Sequence, residues 1–165
     1  MTEQYIEQLV KRSVTFGTKV KKAGLIALTA ISVGLILIYP PVGFFLTIVF
    51  AILDMFLFKR LDVEYEYVYI SGDLHIDRIA GKSTRRRFFS VDVKDVDVIA
   101  PTGSPELMGY QHLKAVNYSS WTPGNRTYEM VAPAPKGSGK IRVIFEPSEE
   151  LLRAMRDMAP RKVIL

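Results

Sequence analysis

AGLIALTAISVGLILIYPPVGFFLTIVFAILDMFLF, residues 23–58, decides how the rest of the chain is read. No charged side chain occurs between Ala23 and Leu53, and Tyr39-Pro40-Pro41 interrupts the run near its middle. A hydrocarbon layer about 30 Å thick is crossed by roughly 17 to 25 apolar helical residues, so this stretch is too long for one straight crossing and long enough for two short ones. Proline fixes its own φ and lacks a backbone donor, so Pro40-Pro41 is expected to stop a first helix after Tyr39 and let a second begin near Val42. The expectation is a two-span helical hairpin over residues 23–58, with each span near the lower length limit. A cleaved leader fits poorly, because a charged segment containing Glu3 and Glu7 precedes the run and a second span follows it.

The charges agree. Residues 1–60 hold seven Lys/Arg against three acids, leaving +4 of the chain's formal +5, and residues 61–165 are nearly neutral. The excess flanks the apolar run at Lys19, Lys21 and Lys22 before it and at Lys59 and Arg60 after it, while the Tyr39 to Val42 turn carries none. The positive-inside rule then places both termini in the cytoplasm and the protein in the cell membrane as a multi-pass chain. No basic domain remains to grip phosphates, which argues against nucleic acid as a partner. Asp54 lies five residues before Lys59, within roughly 8 Å of depth of the interface, so water or a nearby cation can reach it. Ala30 and Gly34 form a small-residue step that could seat the second helix or a second copy of the chain, making a homo-oligomer possible. Residues 1–22 place Ile6, Leu9, Phe16 and Val20 at three- and four-residue steps, the pattern of an amphipathic helix lying on anionic lipid.

From Leu61 the hydrophobic period changes to two. Val63 to Ile70, Leu74 to Ile79 and Thr84 to Ser90 read as strands around Ser71-Gly72-Asp73 and Ala80-Gly81-Lys82 turns. Val91 to Ala100 reads as a fourth strand with a bulge or helical turn at Lys94-Asp95, where its apolar set slips register. One helical turn is expected around Glu106 to Met108, then strands at Ala115 to Ser120, Arg126 to Ala132 and Lys140 to Phe145. Pro147 or Ser148 opens a final helix that sets Leu151, Leu152 and Met155 on one face and ends at Pro160. Seven short strands closed by one helix make a small α+β, mainly-β barrel over residues 61–165.

That order resembles the pleckstrin-homology-like (PH-like) fold, and Phe145-Glu146-Pro147-Ser148-Glu149-Glu150-Leu151 is similar to the way many bacterial members begin their last helix. Val63-Glu64-Tyr65-Glu66-Tyr67, Asp73-Leu74-His75-Ile76-Asp77 and Ser83-Thr84-Arg85-Arg86-Arg87-Phe88-Phe89-Ser90-Val91-Asp92-Val93 together resemble a family of small two-span membrane proteins from Gram-positive anaerobes, of unknown function. The resemblance implies an architecture and names no chemistry.

Lys82, Arg85 and Arg87 stand out as a basic cluster able to face an anionic leaflet or a partner, unless neighbouring acids neutralise them. Asp73, His75 and Asp77 share a strand face, but at about 7 Å spacing they cannot close on one metal ion. Lys136-Gly137-Ser138-Gly139-Lys140 lacks P-loop spacing and reads as a hairpin turn, and no nucleophile motif occurs. The expectation is therefore a non-enzymatic, cofactor-free adaptor holding a PH-like domain at the inner leaflet, with membrane lipid or an unknown membrane or cytosolic protein as partner. The alternative is an accessory or regulatory subunit of a membrane transport or export complex.

Overall fold

The chain folds back on itself between its first strand and its second. The structure, a computed structural model, describes residues 5–13, 16–81, 84–135 and 139–165. Strand β1 (Tyr5–Lys11) is followed by helices α1 (Phe16–Leu35) and α2 (Pro40–Leu61), and then by β2 (Val63–Ile70), which pairs antiparallel with β1 in a register joining Tyr5 to Ile70 and Lys11 to Glu64. The helices are thus inserted into the connection between two paired strands. After β2 come β3 (Asp73–Ala80), β4 (Thr84–Asp92), β5 (Val98–Pro101), β6 (Ala115–Asn117), β7 (Tyr128–Pro133), β8 (Lys140–Phe145) and helix α3 (Glu149–Met158). The strands form two four-stranded sheets, β1-β2-β3-β4 and β5-β7-β8-β6, antiparallel in β1–β2, β5–β7 and β7–β8 and parallel in β6–β8.

Two expectations about the N-terminal part are corrected. Residues 1–22 were expected to form an amphipathic helix, whereas Tyr5–Lys11 is a strand and helix starts only at Phe16. Ile6, Gln8 and Val10 stand opposite Tyr69, Tyr67 and Tyr65, so long-range pairing on a tyrosine-rich strand outweighs the local helical spacing. For the same reason the domain does not begin at residue 61. The chain divides into two compact units, one built from the strands and α3, the other from α1, α2 and the turn around Gly81, and the first includes β1.

In the strand unit the alternation of β2 sends Tyr65, Tyr67 and Tyr69 inward, where they meet Leu74, Ile76, Phe89 and Phe145, all essentially inaccessible. The Tyr67 hydroxyl donates to Tyr118 O (2.8 Å) and accepts from the Glu146 backbone N–H (3.2 Å), and the Tyr69 hydroxyl donates to Ala154 O (3.1 Å). Ser71 and Gly72, both at positive φ, make the two-residue β2–β3 turn that matches strand twist. The expected turn at Lys94-Asp95 is a 3-10 turn over Val93–Asp95, with Asp92 accepting from the Lys94 N–H. Ser148 caps α3 by accepting from the Leu151 N–H, and Leu151, Leu152 and Met155 are buried as their spacing implied. Among the described residues there are eight strands, the additional one being β1, and β6 is shorter than expected.

In the helical unit, α1 ends at Leu35, four residues earlier than expected, and α2 starts at Pro40. Ile36, Leu37 and Ile38 donate to the carbonyls three residues back, a tightened last turn that satisfies otherwise orphaned carbonyls. The two prolines occupy the first turn of α2, where no donor is missed. A polar seam joins the helices. Thr29 Oγ1 donates to Asp54 Oδ2 (2.7 Å), and Thr47 Oγ1 lies 3.1 Å from Ser32 Oγ. Asp54 therefore finds a threonine of the other helix rather than a cation. Ala30 and Gly34 are exposed, with open space at Gly34, so the small-residue step does not seat α2. The close approach is instead at Gly43, where an added Cβ would lie 2.4 Å from Ile36 N.

Candidate functional site

The basic residues of the helical unit come together. Lys19, Lys21 and Lys22 occupy the first turns of α1, Lys59 and Arg60 the last turn of α2, and the Lys22 ammonium sits 5.8 Å from the centre of the Phe58 ring. From Pro40 to Lys59 is about 30 Å of helix, the thickness of a hydrocarbon layer. Among the described residues one helix, α2, is long and apolar enough to cross a membrane, and almost none of it is buried within the fold. Helix α1 carries its three lysines in its own first two turns and is correspondingly shorter in apolar length.

The strand unit sorts its arginines by face. On the outer face Arg85 bonds both Glu66 and Asp77, with Arg85 Nε 2.9 Å from Asp77 Oδ2, and Arg87 Nε lies 3.3 Å from Asp77 Oδ1. Glu66 and Asp77 are each 95% buried, so these arginines are the counterions of two carboxylates that would otherwise be stranded. Lys82, the third member of the expected cluster, lies outside the described residues, as do Lys136, Gly137 and Ser138 of the glycine-rich turn. Of the aligned Asp73, His75 and Asp77, His75 Nδ1 pairs with Ser90 Oγ (2.8 Å) and Asp77 with the arginines. No group of His, Cys, Asp or Glu among the described residues is placed to hold a metal.

Two other arginines have no carboxylate partner among the described residues and lie over aromatic rings. Arg12 stands 5.2 Å from the centre of Trp121 and Arg78 5.7 Å from the centre of Phe88. Phe88 meets Tyr118 edge-on at 6.5 Å, and Tyr118 meets Tyr65 at 5.5 Å, so Arg78 and these three aromatic rings form one connected group. Trp121 is 53% exposed and Phe88 40%, and Arg78 Nε is buried without a hydrogen-bond partner. Trp121 also has φ of 60°, a left-handed conformation that costs an L-residue about 1 kcal/mol and is held here by an Asn117-Ser119 turn beneath it. Such a group can bind a planar or anionic surface through stacked cations. Its one legible signal was Arg78, two residues beyond Ile76 in the inward register of β3.

A concavity of about 440 Å³ lies beside α3, its lining including Arg126, Tyr128, Leu152 and Arg153. It holds no buried charge and no cluster of reactive groups.

Residues 2–165 match the family described as Bacterial PH-like domain (DUF6106). The chain belongs to this family. The two sheets and the C-terminal helix are its PH-like domain, so the fold inferred from the strand order holds. No curated protein and no solved structure matches the chain. Family membership is consistent with a binding module, since PH-like folds serve many functions and the site must carry the assignment.

Proposed function

We propose that this PH-like protein is a membrane-anchored, non-enzymatic binding module. The helices α1 and α2 enter the bilayer as a hairpin from one side, with the lysine- and arginine-bearing end at the cytoplasmic leaflet and the Ile36 to Tyr39 turn deepest. The PH-like domain is held at that leaflet and binds anionic lipid or a protein partner. One observation carries the reading. The apolar, almost wholly exposed α2 has the length of a hydrocarbon layer, and its basic end coincides with that of α1 at Lys22 and Phe58. Burying that surface in lipid removes a cost that water would impose at about 25 cal/mol per Å².

The test is alkaline carbonate extraction of membranes from cells expressing the full chain, followed by crosslinking pull-down from the same membranes. The chain should stay with the lipid pellet, and release into the carbonate supernatant would end the anchoring reading. A transport or export subunit is favoured by one feature of the helical unit, Asp54 Oδ1, which is buried without a partner and could meet a group from another membrane protein. Co-purification that survives removal of the PH-like domain would select that reading.

A further inference from the structure

Arg12 of the Arg12–Trp121 pair is the last residue of the strand unit before the chain enters the helical unit. Three residues separate Arg12 from the first residue of α1, and Asp62 alone separates α2 from β2. Glu64, paired with Lys11 at this end of the β1–β2 ladder, is three residues beyond the end of α2 in sequence. In sequence, this end of the β1–β2 ladder is joined by two short connections to the helices that carry Lys19, Lys21, Lys22, Lys59 and Arg60. Beside Arg12 the protein exposes its only tryptophan, in a strained conformation, and the guanidinium over it has no carboxylate partner among the described residues. Tryptophan prefers the headgroup level because its ring is apolar and its N–H polar, and arginine there meets lipid phosphate.

Resting on the membrane reading above, we propose that Trp121 and Arg12 form an interfacial anchor. The indole ring is seated among the lipid headgroups of the leaflet that receives α2, and Arg12 pairs with a lipid phosphate. The anchor fixes the orientation of the PH-like domain on the bilayer, which a flexible tether alone would leave free.

Because Trp121 is the sole tryptophan, its fluorescence reports this site alone. The full chain is reconstituted in vesicles of phosphatidylcholine and phosphatidylglycerol, and membrane attachment is checked by flotation. The expected result is blue-shifted emission that loses about half its intensity to lipids brominated near the headgroup end of the acyl chain, and less to lipids brominated near the bilayer centre. Arg12→Ala should leave flotation unchanged and weaken the bromolipid quenching, a readout that a purely structural tryptophan would not move. Chain that floats with red-shifted emission, open to an aqueous quencher and untouched by either bromolipid, overturns the anchor and leaves the membrane reading standing. Chain that does not float overturns both.

Discussion

Gln8 and Ser148, 140 residues apart, are joined by a 2.7 Å hydrogen bond from the Ser148 backbone N–H to the Gln8 carboxamide oxygen, while Gln8 Nε2 donates to Glu146 O at 2.8 Å. Ser148 is also the N-cap of α3, so one side chain of β1 fixes where the closing helix starts. Replacing Gln8 with Leu leaves two backbone groups unpaired in a part-buried position. The expected loss is about 1 to 3 kcal/mol, measured as a lower denaturation midpoint with an unchanged slope. A midpoint within error of the parent's would show that β1 is dispensable.

The same relationship sets the smallest foldable piece. A fragment of residues 61–165 lacks β1, exposing the inner edge of β2 and the partners of Gln8 and Val10, and is expected to aggregate or melt without cooperativity. By contrast, replacing residues 13–62 with Asn-Gly joins strands whose ends already face one another at Lys11 and Glu64. That variant should be soluble without detergent and melt in one transition. The reverse outcome, a stable fragment and an insoluble excision, would refute the discontinuous domain.

Arg85 offers a third test. Its carboxylate partners Glu66 and Asp77 are buried while its own side chain is about half exposed, so solvent screens part of the loss when it is removed. Arg85→Ala is expected to cost about 1 to 3 kcal/mol and Arg86→Ala, with no carboxylate partner among the described residues, less than about 0.5 kcal/mol. Equal melting temperatures for the two variants would mean the outer-face arginines are free for another role.

These cases show what the sequence could and could not reveal. Strands β2 to β4, the Lys94-Asp95 turn and the Ser148 cap were legible because each is written in local alternation or capping chemistry. Strand β1 was hidden by Gln8, a polar residue at an inward position, and by a partner strand more than fifty residues away. The density of Arg85-Arg86-Arg87 was visible, but Glu66 and Asp77, which absorb two of its charges, come from two other strands. Arg12 and Trp121 meet only through the fold, so no spacing could announce them.

Tyrosine burial predicts alkaline sensitivity. Burial raises the ionisation of Tyr67 well above the ordinary value near 10, and raises Tyr69 and Tyr118 in the same direction. Neutral tyrosine is thus favoured by the folded state. The stability it contributes is complete below pH about 10 and is lost as pH rises from there toward the folded-state values, because the unfolded chain releases its protons first. Absorbance of tyrosinate in the excised domain should rise in two steps, exposed rings near pH 10 and buried rings together with unfolding. Tyr67→Phe should weaken the second step, though it also forfeits the bonds to Tyr118 O and Glu146 N. A single smooth titration with the far-ultraviolet dichroism unchanged would contradict the buried placement.

The helix pair can be tested because the chain has no cysteine. Ser32 Oγ and Thr47 Oγ1 are 3.1 Å apart across the seam, close enough that Ser32→Cys with Thr47→Cys should form a disulfide on mild oxidation in vesicles. Gly43 permits that approach, because any Cβ there would collide with the Ile36 backbone, which cannot rotate aside as a side chain would. Adding Gly43→Ala should therefore slow crosslinking severalfold, whereas Gly34→Ala, with nothing near its Cβ, should leave the rate unchanged. Rapid crosslinking in both backgrounds would mean that the turn from Ile36 to Tyr39 does not set the helix separation. Absence of crosslinking in the parent double-cysteine chain would remove the polar seam itself.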